Sequence, residues 1–490
     1  MPPHRSPHPN ISLKDRYERY EGLHVLRLSG TDYEMGFQHG ALLREAIPHG
    51  PLPYFSKYVR KVLTGALPAP AAHLAGRILG RTVGKAIARQ FPPSFQEALN
   101  GLADGARISR RQVHRAVTMP ETYLWVLSKY RSILGASAAP RFGVPLMGCS
   151  SALAWGSATA DGSLLHGRNF DYQGIGYWDR EQAVVFHRPV DGQSYVSITS
   201  AGILLGGITA MNTAGLTMVI HQHMSARDFD LGGLPVGVVG DRIMRHAKTL
   251  DEARNLLDQH HPNGPWTYVV GSAKEQAVLC YEVTAKQRAC FISDGPTFGY
   301  SNIFLHRQFQ GNEVFFYPTY WRNNTARYRR ICELLEHQPI DSAHIAAILG
   351  NPGQPPCRFE DSIALLSTVG SVVFDANRSI AYVATGKAPV SQNDYVAFGL
   401  AEQAPRPDLP PLQSNLPDTT RAAFDVYRQA FEADFNNGDP QTAQEHLHTL
   451  TKLQPHQPSY HFVSGLLALR RRNAELALQC FERAIALEHP

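Results

Sequence analysis

Cysteine is scarce and dispersed in this chain, with six residues among 490. Disulfide-rich domains carry many closely spaced cysteines, and thiolate zinc sites use C-x-x-C pairs; the chain has neither pattern. The sequence therefore offers no support for a disulfide framework or a structural zinc site. A cysteine with a function here must act alone.

Long apolar runs are also missing. No window reaches the roughly eighteen consecutive apolar residues from which a spanning helix is recognised. The opening residues, MPPHRSPHPNISLKDRYERY, are polar and proline-rich and lack the apolar segment of a secretory signal. We therefore expect a protein without a transmembrane segment that is located in the cytoplasm.

Charge of one sign does not predominate, because 47 Lys and Arg residues stand against 42 Asp and Glu, a formal balance of +5. The basic residues are scattered rather than gathered into runs, so a dedicated nucleic-acid binder is not expected. Apolar residues, by contrast, are plentiful at 43%. A chain of this length and composition can form a large core and at least one further domain.

Residues 1–148 are predicted to form an N-terminal, mostly helical segment. The run GLHVLRL at 22–28 alternates like a strand, and a helical pattern follows to about residue 135. One helical stretch has basic residues every fourth position, at Arg77, Arg81, Lys85 and Arg89. This basic row is either a solvated helix face or a surface that meets phosphates.

Residues 149–400 differ in character. Short β-rich runs such as SYVSITS and GLTMVIHQH alternate with helical segments such as TARYRRICELLEHQ. This pattern favours an α+β domain in which sheets are layered with helices over a bare β-sandwich.

The end of the chain is predicted to be a separate helical unit. A proline-rich linker spans residues 401–418, and residues 419–490 repeat at an interval of 34, the tetratricopeptide period. The repeated pairs are Ala443 with Ala477, Leu447 with Phe481, Leu450 with Ala484 and Leu453 with Leu487. Two repeats are fewer than usually stand alone, so we expect this tail to pack on the main domain or on a protein partner. A helical cap without a partner is the alternative.

Cys149 is the cysteine with charged candidates close by in sequence. It stands in GCSS, and the later HGRNFDY supplies Arg168 and Asp171. The turn ADGS predicts a β-hairpin that brings these residues back beside the cysteine. A nearby positive charge or base raises the thiolate fraction of a thiol and makes it a nucleophile. The alternative is an inert core cysteine.

These motifs resemble the cysteine branch of the N-terminal nucleophile hydrolases. The likeness is to the penicillin acyltransferase-like (isopenicillin-N N-acyltransferase-like) family and, more distantly, to the choloylglycine hydrolases, and it covers about residues 22–392. It implies a four-layer αββα sandwich in which the chain cleaves itself between Gly148 and Cys149. The new α-amine of Cys149 would then serve as the base, since such amines titrate near neutrality.

The resemblance also implies roles for other residues. Asp171 would orient the amine and Arg168 would line the site, while Asn212, in MNTAGL, would donate to the oxyanion. Asn302, in GYSNIF, would be a second polar contact at the tetrahedral intermediate, and NNTARYRR would supply a buried arginine at Arg327.

Some positions leave alternatives open. Arg329 or Arg330 could take the place of Arg327.

The segment GTDYEMGFQHG, with Gly36, His39 and Gly40, is similar to the opening of the acyltransferase-like members.

Two positions depart from the pattern of the related families. Thr213 stands where many choloylglycine-type sequences have an acidic residue, and Arg168 stands where the penicillin acyltransferases commonly have Gln.

The expected activity is that of a self-processing cysteine acyltransferase or amidohydrolase. An acyl group would pass from an amide or thioester donor, a coenzyme A thioester among the candidates, through an acyl-enzyme to an amine or to water. One alternative is plain hydrolysis of lipid-like or amino-acid amides. A second is an inactive protein that binds partners through its repeats.

No cofactor or metal is expected for this chemistry. His221 and His223 share one face of a strand, but no third ligand is recognisable nearby.

Overall fold

The computed structural model of the protein describes residues 12–64, 67–134, 148–204, 206–223, 229–309, 318–353, 361–413 and 418–488. In these residues the strands are β1 Tyr17–Tyr20, β2 Leu23–Gly30, β3 Gly148–Ala154, β4 Leu165–Asp171, β5 Gln182–Pro189, β6 Tyr195–Ser200, β7 Thr209–Asn212, β8 Leu216–Gln222, β9 Trp266–Ser272, β10 Ala277–Val283, β11 Arg288–Ile292, β12 Thr297–Tyr300, β13 Thr368–Asp375, β14 Ile380–Ala384, β15 Tyr395–Gly399 and β16 Ala404–Pro405.

The helices of the same residues are α1 Asp32–Leu42, α2 Pro51–Thr64, α3 Ala69–Arg81, α4 Val83–Ala88, α5 Pro93–Ala106, α6 Arg110–Val117, α7 Met119–Leu134, α8 Val236–His246, α9 Leu250–Asp258, α10 Pro318–Leu334, α11 Ser342–Leu349, α12 Asp418–Phe431, α13 Pro440–Leu453, α14 Pro458–Arg470 and α15 Ala474–Glu488. None of the helices in this part of the chain is long and apolar enough to cross a membrane.

The strands form two sheets. One has nine strands in the order β1-β2-β5-β6-β7-β8-β9-β10-β11, and the other has seven in the order β12-β3-β4-β13-β14-β15-β16. Val25, Val184 and Val269 of the first sheet share a buried apolar cluster with Leu153 and Val372 of the second. This shared cluster is the core between the sheets, so the predicted α+β sandwich is confirmed.

Helices cover the outer face of each sheet. Ile243 of α8 belongs to a buried cluster with Met218 of β8, and Ile345 of α11 belongs to another with Val373 of β13. The order is therefore helix, sheet, sheet, helix, which is the arrangement that the resemblance implied.

The N-terminal segment contributes both strands and helices. β2 pairs in parallel with β5, so residues before Cys149 are part of the larger sheet rather than a purely helical attachment. Helices α1 and α5 cross closely through glycines, since a Cβ atom at Gly36 would lie 2.1 Å from the carbonyl oxygen of Ala98. The glycine in the predicted opening motif therefore has a packing reason, because no larger residue fits there.

The C-terminal helices pack on the main domain. Leu366 of that domain belongs to one buried cluster with Leu447 and Tyr460, and the side-chain amide of Asn436 donates to the carbonyl oxygen of Ile175 over 3.0 Å. α13 and α15 begin 34 residues apart, as the sequence period requires. Their assignment as tetratricopeptide repeats stays a prediction.

The proline-rich segment 401–418 differs from a free linker. β16 pairs with β15 through Ala404, and Tyr395 and Leu412 form an isolated bridge with hydrogen bonds in both directions. The backbone therefore lies along the edge of the sheet as far as Leu412. Its hydrogen bonds satisfy backbone N–H and C=O groups that the edge strand would otherwise leave unpaired.

Candidate active site around Cys149

The predicted hairpin is confirmed by the pairing of β3 with β4. Gly148 lies opposite Asp171, and Ser151 lies opposite Arg168. Cys149 is 5% exposed. Antiparallel pairing thus brings residues that are about twenty positions apart in the chain to the same place.

Arg168 lies beside the thiol. Its Nη2 is 3.5 Å from Cys149 Sγ, its Nη1 hydrogen-bonds Thr209 Oγ1, and its guanidinium carbon lies 4.6 Å from the ring centre of Phe170. Burial raises the pKa of the Cys149 thiol, and the positive charge of Arg168 opposes that rise. Arg168, with a smaller contribution from Arg327, therefore favours the thiolate in a site whose burial disfavours charge.

Arg327 is fully buried and holds the backbone of the cysteine. Its Nη1 donates to the carbonyl oxygen of Cys149 and to Ser150 Oγ, each over 3.0 Å, and lies 3.4 Å from Asp171 Oδ2. Its Nη2 donates to Asn324 Oδ1 over 2.8 Å. Arg330, one of the two alternatives to Arg327, instead forms an ion pair with Glu333 on its own helix.

Asn302 contacts the backbone nitrogen of Cys149. Its Oδ1 accepts the backbone N–H of Cys149 over 2.7 Å and also accepts from Arg327 Nη2 over 3.0 Å. Its Nδ2 donates to the carbonyl oxygen of Gln222 over 2.6 Å. In this arrangement the side chain orients the nitrogen of the predicted cleavage site.

The side chain of Asp171 is fully buried, and each of its two carboxylate oxygens has a partner. Thr368 Oγ1 donates to Oδ1 over 2.5 Å, and Arg327 lies at Oδ2. Burial raises the pKa of Asp171 to about 6, and the charge of Arg327 opposes the rise. This carboxyl fixes the position of Arg327, which in turn holds the Cys149 carbonyl.

Asn212 requires a correction. Its Nδ2 donates to the carbonyl oxygens of Met244 and Ala247 over 3.1 and 3.0 Å, and its Oδ1 accepts from the backbone N–H groups of Ala214 and Leu216. Both amide hydrogens are thus engaged in holding the β7–β8 turn to the end of α8. The structure does not bring this side chain to the thiol, and its geometry does not support an oxyanion role.

A cavity of about 80 Å³ opens onto the thiol. Its polar lining includes Cys149, Arg168, Asp171, Asn302 and Glu121. Most of the remaining wall is apolar or aromatic, with Phe55, Phe95, Val117, Phe170, Tyr172, Trp178, Ile203, Leu204 and Trp266. A largely apolar cleft with a few convergent polar groups is typical of a small-molecule site.

The opening motif of the chain supports one wall of this cavity. His39 is buried, and burial lowers its pKa to about 3, so the ring is neutral. Its Nε2 accepts the backbone N–H of Gly202 over 3.0 Å. The next residues, Ile203 and Leu204, line the cavity, and the hydrogen bond therefore positions that wall.

His221 and His223 lie between the sheets and contact hydroxyl groups. His221 Nε2 is 2.8 Å from Ser151 Oγ, and His223 Nε2 is 2.7 Å from Thr267 Oγ1. Among the residues that the structure describes, no group of three or more His, Cys, Asp or Glu side chains is placed to hold a metal ion.

Several residues of the site carry no recognisable sequence signal. Thr209 and Thr368 come from distant strands and are brought in only by the fold. Asn324 stands three positions before Arg327 on one helix face, a spacing that could have paired the two. Glu121, in the first turn of α7, belongs to none of the sequence motifs described above.

Known proteins resemble parts of this chain. Residues 157–388 match the sequence model of the family described as acyl-coenzyme A:6-aminopenicillanic acid acyl-transferase. An uncharacterized protein of Archaeoglobus fulgidus is 28% identical over 282 residues, which are 55% of this chain and 45% of the relative. The chain therefore spans less than half the length of that relative.

A solved structure, the Caenorhabditis elegans ortholog of an N-acylethanolamine-hydrolyzing acid amidase, aligns with a TM-score of 0.32 and 15% identity over 46% of this chain and 93% of that one. The family match begins eight residues after Cys149 and contains Arg168, Asp171, Asn302 and Arg327. The resemblance to the acyl-coenzyme A:6-aminopenicillanic acid acyl-transferase family that the motifs predicted is therefore confirmed over residues 157–388.

Proposed function

We propose that this protein is a cysteine acyl-transfer enzyme that first cleaves its own chain between Gly148 and Cys149. The proposal rests on the surroundings of Cys149, whose sulfur and backbone nitrogen are both held in place. The sulfur of Cys149 faces Arg168 and an apolar cavity, while its nitrogen is held by Asn302 at 2.7 Å. A residue with both groups positioned is suited to serve as nucleophile and base together.

The cleavage step would start from the thiol. Sγ attacks the carbonyl carbon of Gly148, the C–N bond to Cys149 breaks, and the departing nitrogen takes the thiol proton. Water then hydrolyses the resulting thioester, leaving a carboxylate on Gly148 and a free amine and thiol on Cys149. The hydrogen bond from Arg327 to the Cys149 carbonyl supports this step, because it fixes one side of the bond that is broken.

The same residue would then act on the substrate. The α-amine takes the proton of the thiol, and the thiolate attacks the carbonyl of an amide or thioester. Arg168 is the cationic donor beside the sulfur and would stabilise the oxyanion. The leaving group departs with the proton, and water or an amine releases the acyl group from Cys149.

The two enzymatic versions of the proposal differ in whether water or an amine accepts the acyl group. A coenzyme A thioester remains one candidate donor. Of the basic row, Arg77, Arg81, Lys85 and Arg89 are all exposed, which suits a solvated face as well as a phosphate contact. The third version, an inactive protein that binds partners through its C-terminal helices, predicts no acylation at all.

Acylation of the enzyme tests the proposal. We would incubate wild-type protein, Cys149→Ala and Cys290→Ala with acyl nitroanilides and acyl thioesters, quench in acid and map the acyl mass by peptide mass spectrometry. Cys290 is a partly exposed cysteine outside the cavity and is the matched control. Acyl mass on Cys149 that Cys149→Ala loses and Cys290→Ala keeps would support the proposal. Equal turnover by Cys149→Ala would contradict it.

Adding an amine during turnover then distinguishes transfer from hydrolysis. An acyltransferase yields the new amide at the expense of the free acid, whereas a plain hydrolase yields the acid at every amine concentration.

A further inference from the structure

Glu121 is a buried acid that the proposed chemistry does not use. It belongs to the first turn of α7, is 3% exposed, and lines the same cavity as Cys149. Its Oε2 atom is buried and has no hydrogen-bond partner in the part of the chain that the structure describes. A buried acceptor without a donor is costly, so such an atom in a native fold requires an explanation.

Among the residues that the structure describes, no opposite charge acts on Glu121. Burial raises its pKa to about 7, and its own backbone N–H offsets this only in part. Arg168 is the one cationic side chain among the described residues of the cavity wall, and its guanidinium is engaged with Cys149, Thr209 and the carbonyl oxygen of Ile220. Among the described residues of the cavity wall, no cationic side chain is thus paired with Glu121, and a cationic ligand in the cavity would satisfy it.

The walls of the cavity suit the same kind of ligand. Phe55, Tyr172 and Trp178 line the same cavity as Glu121. Aromatic faces attract cations, and an acid combined with aromatic rings is a favourable environment for an ammonium group on an apolar chain. An anionic group, by contrast, would meet the carboxylate without a compensating charge.

We propose that Glu121 determines substrate specificity by binding an ammonium group carried on the acyl chain of the substrate. This inference rests on the proposed function, because it assigns the acyl chain to the cavity that opens onto Cys149. The substrate class would be amides or thioesters of amino-substituted aliphatic acids. The ammonium supplies the missing hydrogen-bond donor and the opposite charge in one group.

Paired substrates test this assignment. Nitroanilides of ω-amino acids of increasing chain length would be compared with analogues in which a methyl group replaces the ammonium. We expect wild-type protein to prefer the amino member of at least one pair by kcat/KM, and Glu121→Gln to lower that preference by about tenfold or more, as expected for a lost charged hydrogen bond. Glu97→Gln, which changes an exposed acid of α5, should keep the preference.

A ligand-binding measurement provides a second test that does not depend on turnover. Calorimetry would measure hexylammonium and its neutral analogue hexanol on wild-type protein and on both variants. The inference requires that wild-type protein bind hexylammonium more tightly than hexanol and that Glu121→Gln remove the difference. Equal binding of the two ligands by wild-type protein would overturn it, as would an unchanged difference in Glu121→Gln.

The two proposals fail in distinguishable ways. Absence of turnover and of acylation with both members of every substrate pair, together with ammonium binding that depends on Glu121, would refute the proposed reaction and leave the binding site standing. Turnover of the methyl-terminated substrates with equal or higher kcat/KM, in wild-type protein and Glu121→Gln alike, would refute the role of Glu121 and leave the reaction standing.

Discussion

The Oδ1 atom of Asn302 lies 2.7 Å from the backbone nitrogen of Cys149 and accepts its hydrogen bond. The same oxygen accepts from Arg327, whose other nitrogen donates to the Cys149 carbonyl. One asparagine and one arginine thus hold the cysteine backbone on both sides of its α-carbon. Because cleavage would convert the bound amide nitrogen into an amine, this contact would place the future base before the bond breaks.

Replacing Asn302 by alanine should slow both cleavage and acyl transfer. The substitution removes the acceptor of the Cys149 nitrogen, and we expect rates at least about tenfold lower, as for the loss of one buried hydrogen bond to a reacting group. The fraction of cleaved chain over time, followed by intact mass, measures the first effect. Asn377→Ala is the matched control, since that side chain also accepts a backbone N–H, from Leu164 over 2.8 Å. Wild-type rates in Asn302→Ala would contradict this role.

Gly148→Ala should interfere with cleavage through Arg327. A Cβ atom at position 148 would lie 2.9 Å from Nη2 and 3.0 Å from Nη1 of that arginine, so the guanidinium must shift. We expect a loss of stability of about 1–3 kcal/mol, typical of overpacking, together with slower cleavage. Denaturant unfolding and intact mass measure the two effects. Gly295→Ala should change neither, because a Cβ atom there meets nothing within 4 Å.

Glu121 should make the stability of the unliganded protein depend on pH. Burial raises its pKa from 4.5 to about 7, so the folded state binds the proton more tightly than the unfolded state. The favourable contribution of the Glu121 side chain to the free energy of unfolding is complete below pH 4.5 and is lost as the pH rises through about 7. The free energy of unfolding of wild-type protein, relative to that of Glu121→Gln, should therefore fall by about 3 kcal/mol across this range.

Urea unfolding of wild-type protein and Glu121→Gln at a series of pH values measures this difference. Comparison with the variant cancels the titration of other groups, while Tyr123 and Tyr172 near the site titrate far above the range. Glu97→Gln should follow wild-type protein at every pH. A difference between wild-type protein and Glu121→Gln that does not vary with pH would show that the buried carboxyl does not titrate as expected.

The sequence predicts local features of this fold well. The β3–β4 hairpin follows from two alternating runs joined by a turn, and it carries Cys149, Arg168 and Asp171 to one place. The 34-residue spacing anticipates the start positions of α13 and α15. In both instances the signal lies in neighbouring residues, so it is readable without knowledge of the tertiary structure.

Features that depend on distant partners were not predictable in the same way. Asn212 stands in a motif that suggested an oxyanion donor, yet asparagine is also favoured in turns, and only the contacts with Met244 and Ala247 decide between these roles. Glu121 is an acid in the first turn of a helix, a position that helices favour for their own stability. Its place in the cavity depends on how α7 packs, which no local pattern reveals.

Intact mass and N-terminal sequencing of purified wild-type protein beside Cys149→Ala test the central claim most directly. The account predicts that wild-type protein yields two fragments, residues 1–148 and 149–490, the second beginning with Cys149, and that Cys149→Ala remains one chain. If both proteins remain whole while folded, no α-amine forms at Cys149 and the proposed base does not exist. The proposal of an N-terminal nucleophile would then be contradicted.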